Sequence, residues 1–135
     1  MIKLLKEKIY HLLTNDLSYP VTDTAYSIND KITYPFIRLT LKNIKRESNE
    51  KTFKYNCFFQ IDIFDNYKGE KTIYEIEQKI YNAIKKLYNW ENLISITVDS
   101  FRIIDDKSTG ELKKHGIIIY NFTLSGGLTE ELNNE

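Results

Sequence analysis

The chain has little of what staples, punctuates or polarises a protein. One cysteine, Cys57, stands among 135 residues, so no internal disulfide can form, and the paired spacings of structural zinc and redox dithiols are missing. Two prolines and five glycines exclude collagen-like and low-complexity chains. No apolar run reaches the roughly 18 to 20 residues that cross a bilayer. The N-terminus alternates lysine with leucine and isoleucine where a signal peptide needs an unbroken apolar stretch. The expectation is synthesis in a reducing cytoplasm with no membrane insertion. Excess charge of one sign is missing too: 19 basic and 19 acidic side chains cancel, and the pI is about 6.7. A tight polyanion grip needs a basic excess or stripe, so strong DNA binding is not expected.

Short catalytic signatures are also absent. There is no G-x-G-x-x-G, no G-x-x-x-x-G-K-[ST], no H-E-x-x-H and no G-x-S-x-G. No catalytic residue, cofactor or metal is expected. His11 falls on an amphipathic helix and His115 just before Gly116, which makes them surface or turn histidines rather than ligands. Asp105, Asp106 and Glu111 imitate a calcium loop, but Lys107 stands where that loop needs an oxygen. Cys57 lies in phase with Tyr55, Phe59 and Ile61, so it reads as core filler and not as a nucleophile.

What the chain does have is enough apolar residue for one domain: 41% hydrophobic and 13% aromatic, a length that leaves little room for a second core. Residues 1–127 read as that domain, and 128–135 as an acidic, loose tail. A helix is predicted over about residues 2–14, where Ile2, Leu5, Ile9, Leu12 and Leu13 recur at helical spacing. A short strand is predicted near Ala25–Ile28, before a turn at Asn29-Asp30. Strands follow at about Pro35–Asn43, with Ile37, Leu39 and Leu41 alternating with polar residues, and at Phe53–Ile63, where the odd-numbered side chains are apolar. Between them Ile44–Thr52 is too charged for a core and reads as a long hairpin arm.

Thr72 and Glu75 match a capping box for a second helix that runs to about Asn89. Its stripe is Ile73, Ile76, Ile80, Ala83, Ile84 and Leu87, and beside it Tyr74, Tyr81 and Tyr88 repeat every seven residues, as a core edge or subunit contact would. The last strands fall at about Leu93–Ile104 and Gly116–Ser125. In the first of these the apolar phase flips between Val98 and Phe101, which predicts a bulge near Asp99-Ser100. The fold class is therefore α+β: an antiparallel or mixed sheet of four to five strands with two helices packed on one face.

On the other face this pattern leaves Phe36, Phe58, Phe64, Ile117 and Ile119, mixed with Arg38, Gln60, Asp62, Asn121 and Thr123. Such an apolar patch with polar punctuation is either covered by a loop or the tail from Leu128, or is an interface.

Taken together, the helix, Tyr34-Pro35-Phe36-Ile37-Arg38-Leu39 opening a strand, and Phe59-Gln60-Ile61-Asp62-Ile63-Phe64-Asp65 leading into the helix Ile73–Tyr88 form an ordered set. With Arg102-Ile103-Ile104-Asp105-Asp106 and Lys114-His115-Gly116 before an apolar strand, the chain resembles the tail-completion or tail-terminator proteins of long-tailed bacteriophages, also called head-to-tail joining proteins. The resemblance extends to about Leu124 and leaves out the charged arm. It implies a structural virion protein at the head–tail interface: a ring, typically a hexamer, that caps the tail tube, ends its polymerisation and offers a docking surface to the head connector. The implied partners are further copies of the chain, the major tail tube protein and the connector or stopper protein. DNA would pass through the lumen without specific binding, which overall neutrality suits.

From exposure and pattern, not from the family, Lys45, Arg46, Glu47, Glu50 and Lys51 of the arm are expected to reach a neighbour or the tail tube. Phe58, Phe64 and Ile119 are expected at a subunit contact. The competing readings are a stopper, and a small nucleic-acid or peptide-binding module that uses the tyrosines as a stacking platform.

Overall fold

The computed structural model describes residues 1–23, 33–66, 69–107, 110 and 112–127. They form α1 (Ile2–Asp16), β1 (Val21–Thr22), β2 (Phe36–Ser48), β3 (Thr52–Asp65), α2 (Lys71–Ile84) with a tighter 3-10 continuation (Lys85–Asn89), β4 (Leu93–Asp106) and β5 (Lys113–Gly127). The strands make one five-stranded sheet in the order β1-β2-β3-β5-β4. β1 pairs with β2 in parallel, and every other neighbour is antiparallel. The α+β architecture expected from periodicity is the one observed.

Each helix buries one stripe against the same sheet face. From α1 come Ile2, Leu5, Ile9 and Leu13, and from α2 Ile73, Ile76, Ile80, Ala83 and Ile84. They meet Ile37, Leu39, Phe53, Tyr55, Cys57, Phe59, Ile61 and Ile63 of β2 and β3, and Ile118, Tyr120, Phe122 and Leu124 of β5. Each fully buried Ile, Leu or Phe contributes about 1.5–3 kcal/mol of transfer free energy, so this layer holds the domain together. The α2–sheet approach is closest at Gly116, where a Cβ would stand 2.7 Å from Ile73 Cγ2. Glycine is required there for space, not for conformation.

The phase flip in β4 is resolved as expected: the register against β5 shifts between Val98 and Ser100, which returns Phe101 and Ile103 to the covered side. A second shift, between Leu93 and Ser95, turns Ile94 outward, 57% exposed.

The capping box does not form. α2 begins at Lys71, Glu70 already has helical dihedrals, and no side chain caps the terminus. Thr72 therefore lies inside the first turn, too late to reach the free amides ahead of it. α1 runs two residues past its expected end, with the Leu17 amide donating to the Leu13 carbonyl at 3.1 Å.

The segment expected as a long hairpin arm is one, with regular strand on both sides of its turn. β2 and β3 stay paired out to Ser48 opposite Phe53. Asn49 closes the turn, its Oδ1 accepting from the Lys51 and Thr52 amides at 2.9 Å. β5 accompanies β3 as far as Thr52 opposite Gly127, so the arm is three strands wide. Phe53 and Tyr55, both buried, anchor it. Along β2 the arm's side chains from Lys45 to Ser48 are exposed on both faces. The strand expected at Ala25–Ile28, the Asn29-Asp30 turn, the turn residues Tyr67, Lys68, Ser108 and Thr109, and the tail from Leu128 lie outside the described residues.

Candidate interaction surface

The even-numbered side chains of β3 project from the face away from the helices, and the cross-strand register decides which of them meet. Phe36, Phe64 and His115 fall in one row, Arg38, Asp62 and Ile117 in the next, then Thr40, Gln60 and Ile119, then Asn43, Phe58 and Asn121. In the first row the rings stack: Phe36 on Phe64 at 4.7 Å between centroids, and Phe64 on His115 at 4.2 Å. The Arg38 guanidinium lies 5.1 Å over the Phe64 ring.

Asp62 is the hub of the second row and is fully buried. Its Oδ2 accepts from Arg38 Nε at 3.2 Å, while its Oδ1 accepts from Gln60 Nε2 at 2.9 Å and lies 2.7 Å from His115 Nε2. Burial alone would raise the Asp62 pKa. The hydrogen bonds from His115 and Gln60 and the positive charge of Arg38 outweigh it and hold the carboxyl below its ordinary value. The aromatic stack thus roofs a satisfied polar hub, and these polar groups are turned on one another.

The patch expected here is partly self-covered. Phe36 and Ile117 are each only 6% exposed, and Phe36 is covered by Phe64 and by Tyr34, whose ring lies 5.4 Å away. Phe58, Phe64 and Ile119 are half-buried. Of the arm residues, Lys45, Arg46, Glu47, Glu50 and Lys51 are all exposed. Lys45 and Glu47 fall on the open-face rows, opposite Asn56 and Lys54, while Arg46 pairs with Tyr55 on the helix-side phase. The structure brings Lys45 together with Phe58, its ammonium 5.6 Å over the ring, and Arg46 with Tyr55 at 5.4 Å. Phe64 is six strand residues from Phe58, about 20 Å along β3, so the predicted set is spread along the sheet and forms no single site.

No catalytic arrangement accompanies these groups among the described residues, where no cluster of three or more His, Cys, Asp or Glu could hold a metal. His11 lies on the exposed side of α1, its ring 6.1 Å from that of Tyr10. Cys57 is buried, and burial pushes its thiol up to about 11, as expected of core filler.

Sequence reasoning underweighted one surface. Several exposed large apolar side chains lie on α2, its 3-10 continuation and β4: Tyr74 at 54%, Tyr81 at 41% and Tyr88 at 54% on the first two, and Ile94, Val98 and Ile104 on the third. Tyr74 meets Phe101 edge-on at 5.8 Å. The Tyr88 hydroxyl accepts the Ile96 amide at 3.0 Å and donates to the Ile96 carbonyl at 3.4 Å. Those are the groups β4 would offer to another strand, so Tyr88 blunts that part of the edge. The seven-residue tyrosine spacing was the visible signal. Its position over a sheet edge depends on how α2 docks.

No family model matches the chain, and no curated protein does. Among solved structures, a chain in the virion of a native gene transfer agent (GTA) particle is similar, with a TM-score of 0.58 at 10% identity over 87% of this chain and 92% of that one. At that identity the likeness is one of fold, and it spans nearly the whole of both chains.

Proposed function

We propose that this protein is a non-enzymatic structural subunit of a phage-like virion, and more narrowly a terminator that assembles as a ring on the tail tube, stops its growth and receives the head connector. The observation that carries the reading is the near full-length fold likeness to a virion chain, which joins the resemblance in residue order to tail-completion proteins. Charged residues on an ordered, three-stranded arm, and exposed apolar side chains on α2 and β4, are surfaces a ring subunit can use. In a cyclic ring the contacts are heterologous, so these two surfaces can serve as donor and acceptor.

The test is native mass spectrometry and negative-stain imaging of the purified protein, alone and with polymerising tail tube protein. Rings, and tubes capped and halted at defined length, are expected. The triple change Lys45→Glu, Arg46→Glu, Lys51→Glu should leave circular dichroism unchanged and abolish ring or cap. A persistent monomer with no effect on tube length overturns the proposal. Affinity for oligonucleotides that falls steeply with salt would instead favour the nucleic-acid module.

A further inference from the structure

The two outer strands of the sheet differ in how much of their edge is free. β1 covers β2 only at Ile37 and Arg38, and among the described residues nothing pairs with the outer edge of β2 beyond them. On the opposite side, Tyr88 occupies the backbone of Ile96, and among the described residues no strand covers β4 after it. Bulges at Leu41/Asn43 and Val98/Ser100 bound the regular stretches, leaving Asn43–Ser48 on one edge and Ser100–Asp106 on the other. These are similar in length and close to an ordinary strand.

Direction and charge also match. β2 is antiparallel to β3, β3 to β5 and β5 to β4, so β2 and β4 run in opposite directions. A rotation that carries one sheet beside the next therefore sets β2 of one copy antiparallel to β4 of its neighbour, with no refolding. Within these stretches Lys45 and Arg46 outnumber Glu47 on the first edge, and Asp105 and Asp106 outnumber Arg102 on the second. Asp105 also pairs with Lys114 of its own chain. Val98 precedes the acceptor stretch and Ile104 lies within it, 41% and 39% exposed.

We infer that, within the ring proposed above, the Asn43–Ser48 edge of β2 adds as an antiparallel strand to the Ser100–Asp106 edge of β4 in the adjacent copy, making one sheet continuous across the subunit boundary. The occupant of the β4 edge is thus a second copy of this chain. Tyr88 sets the limit of the joint by keeping the first half of β4 closed.

The inference rests on the ring reading, and the experiment separates the two. Cysteines placed at Asn43, Lys45 or Glu47 are combined in the full chain with one at Ser100 or Arg102. All five positions are exposed on the open-face rows, and buried Cys57 is left in place. Ring formation is read by native mass spectrometry and disulfide linkage by non-reducing gels. At least one combination should give a ladder of covalent multimers up to the ring size, and the control pair Glu7→Cys with Ser100→Cys should give none. Rings with no linkage in any combination, or linkage equal to that of the control, overturn the strand joint and leave the ring reading intact. Monomers throughout overturn both.

Discussion

The two faces of this sheet both carry aromatic rings, and different interactions close them. Under the helices, Phe53, Tyr55, Phe59, Tyr120 and Phe122 are buried by α1 and α2, with Phe59 and Phe122 packed edge to face at 5.7 Å. On the far side no helix arrives among the described residues. There Phe36, Phe64 and His115 cover themselves by stacking, and the charge of Asp62 is satisfied by Arg38, Gln60 and His115. The first face depends on apolar volume removed from water. The second depends on a few directional contacts, which a partner can supplement without displacing a layer.

The comparison can be broken most severely at neighbouring residues of β3. Phe59→Ala should cost about 3–5 kcal/mol through transfer and cavity terms. Phe58→Ala on the opposite face should cost about 1 kcal/mol or less. Urea midpoints at constant slope measure both, and equal losses would erase the distinction between the faces.

Next in size is the polar hub. Asp62→Ala should cost about 3 kcal/mol, since it strands the Arg38 and His115 partners of a buried carboxylate. Its pH dependence has a definite sign. The folded-state pKa of Asp62 lies below the ordinary value, so its contribution is complete above the unfolded pKa of about 3.9 and is lost as pH falls through the folded value. Asp62→Asn should therefore flatten the decline of stability below about pH 4. Chemical denaturation across that range checks it, and an unchanged acid limb would remove Asp62 as its source.

Gly116→Ala probes the covered face in the opposite sense, by adding volume. With Ile73 Cγ2 at 2.7 Å from the new Cβ, α2 or Ile73 must shift, at about 1–3 kcal/mol. A thermal melt that does not move would show that α2 yields freely.

The smallest effect is expected at the edge. Tyr88→Phe removes the hydroxyl that serves both polar groups of Ile96. It should change global stability by about 1 kcal/mol or less while accelerating amide exchange at Ile96. An unaltered exchange rate would mean that the edge is not held by Tyr88.

Much of this was legible in the chain itself. Period-two alternation in β3, helical spacing in α1 and α2, and even the β4 bulge follow from local rules, because a buried face imposes its phase on every second or every third-to-fourth residue. The capping box failed because two well-spaced residues cannot reveal that the preceding turn already delivers Glu70 in helical geometry. The Ile44–Thr52 hairpin arm was legible too, but how far its strands stay paired was not, because its solvated side chains carry no buried phase.

The candidate surface was legible only in part. Which even-numbered residues share the open face follows from alternation alone. That Phe36 stacks on Phe64 and both on His115, or that Arg38 reaches Asp62, depends on the register of strands between 24 and 53 residues apart in sequence. Composition and spacing by themselves determined an α+β chain of balanced charge, without the short catalytic motifs and with more apolar residues than one covered face can use. Only the tertiary structure decided where that surplus goes: some into the aromatic stack beside a polar hub, the rest onto exposed positions of α2 and β4. The physical reason is that periodicity assigns a side chain to a face, whereas its burial and partners depend on which strands and helices come to lie beside it.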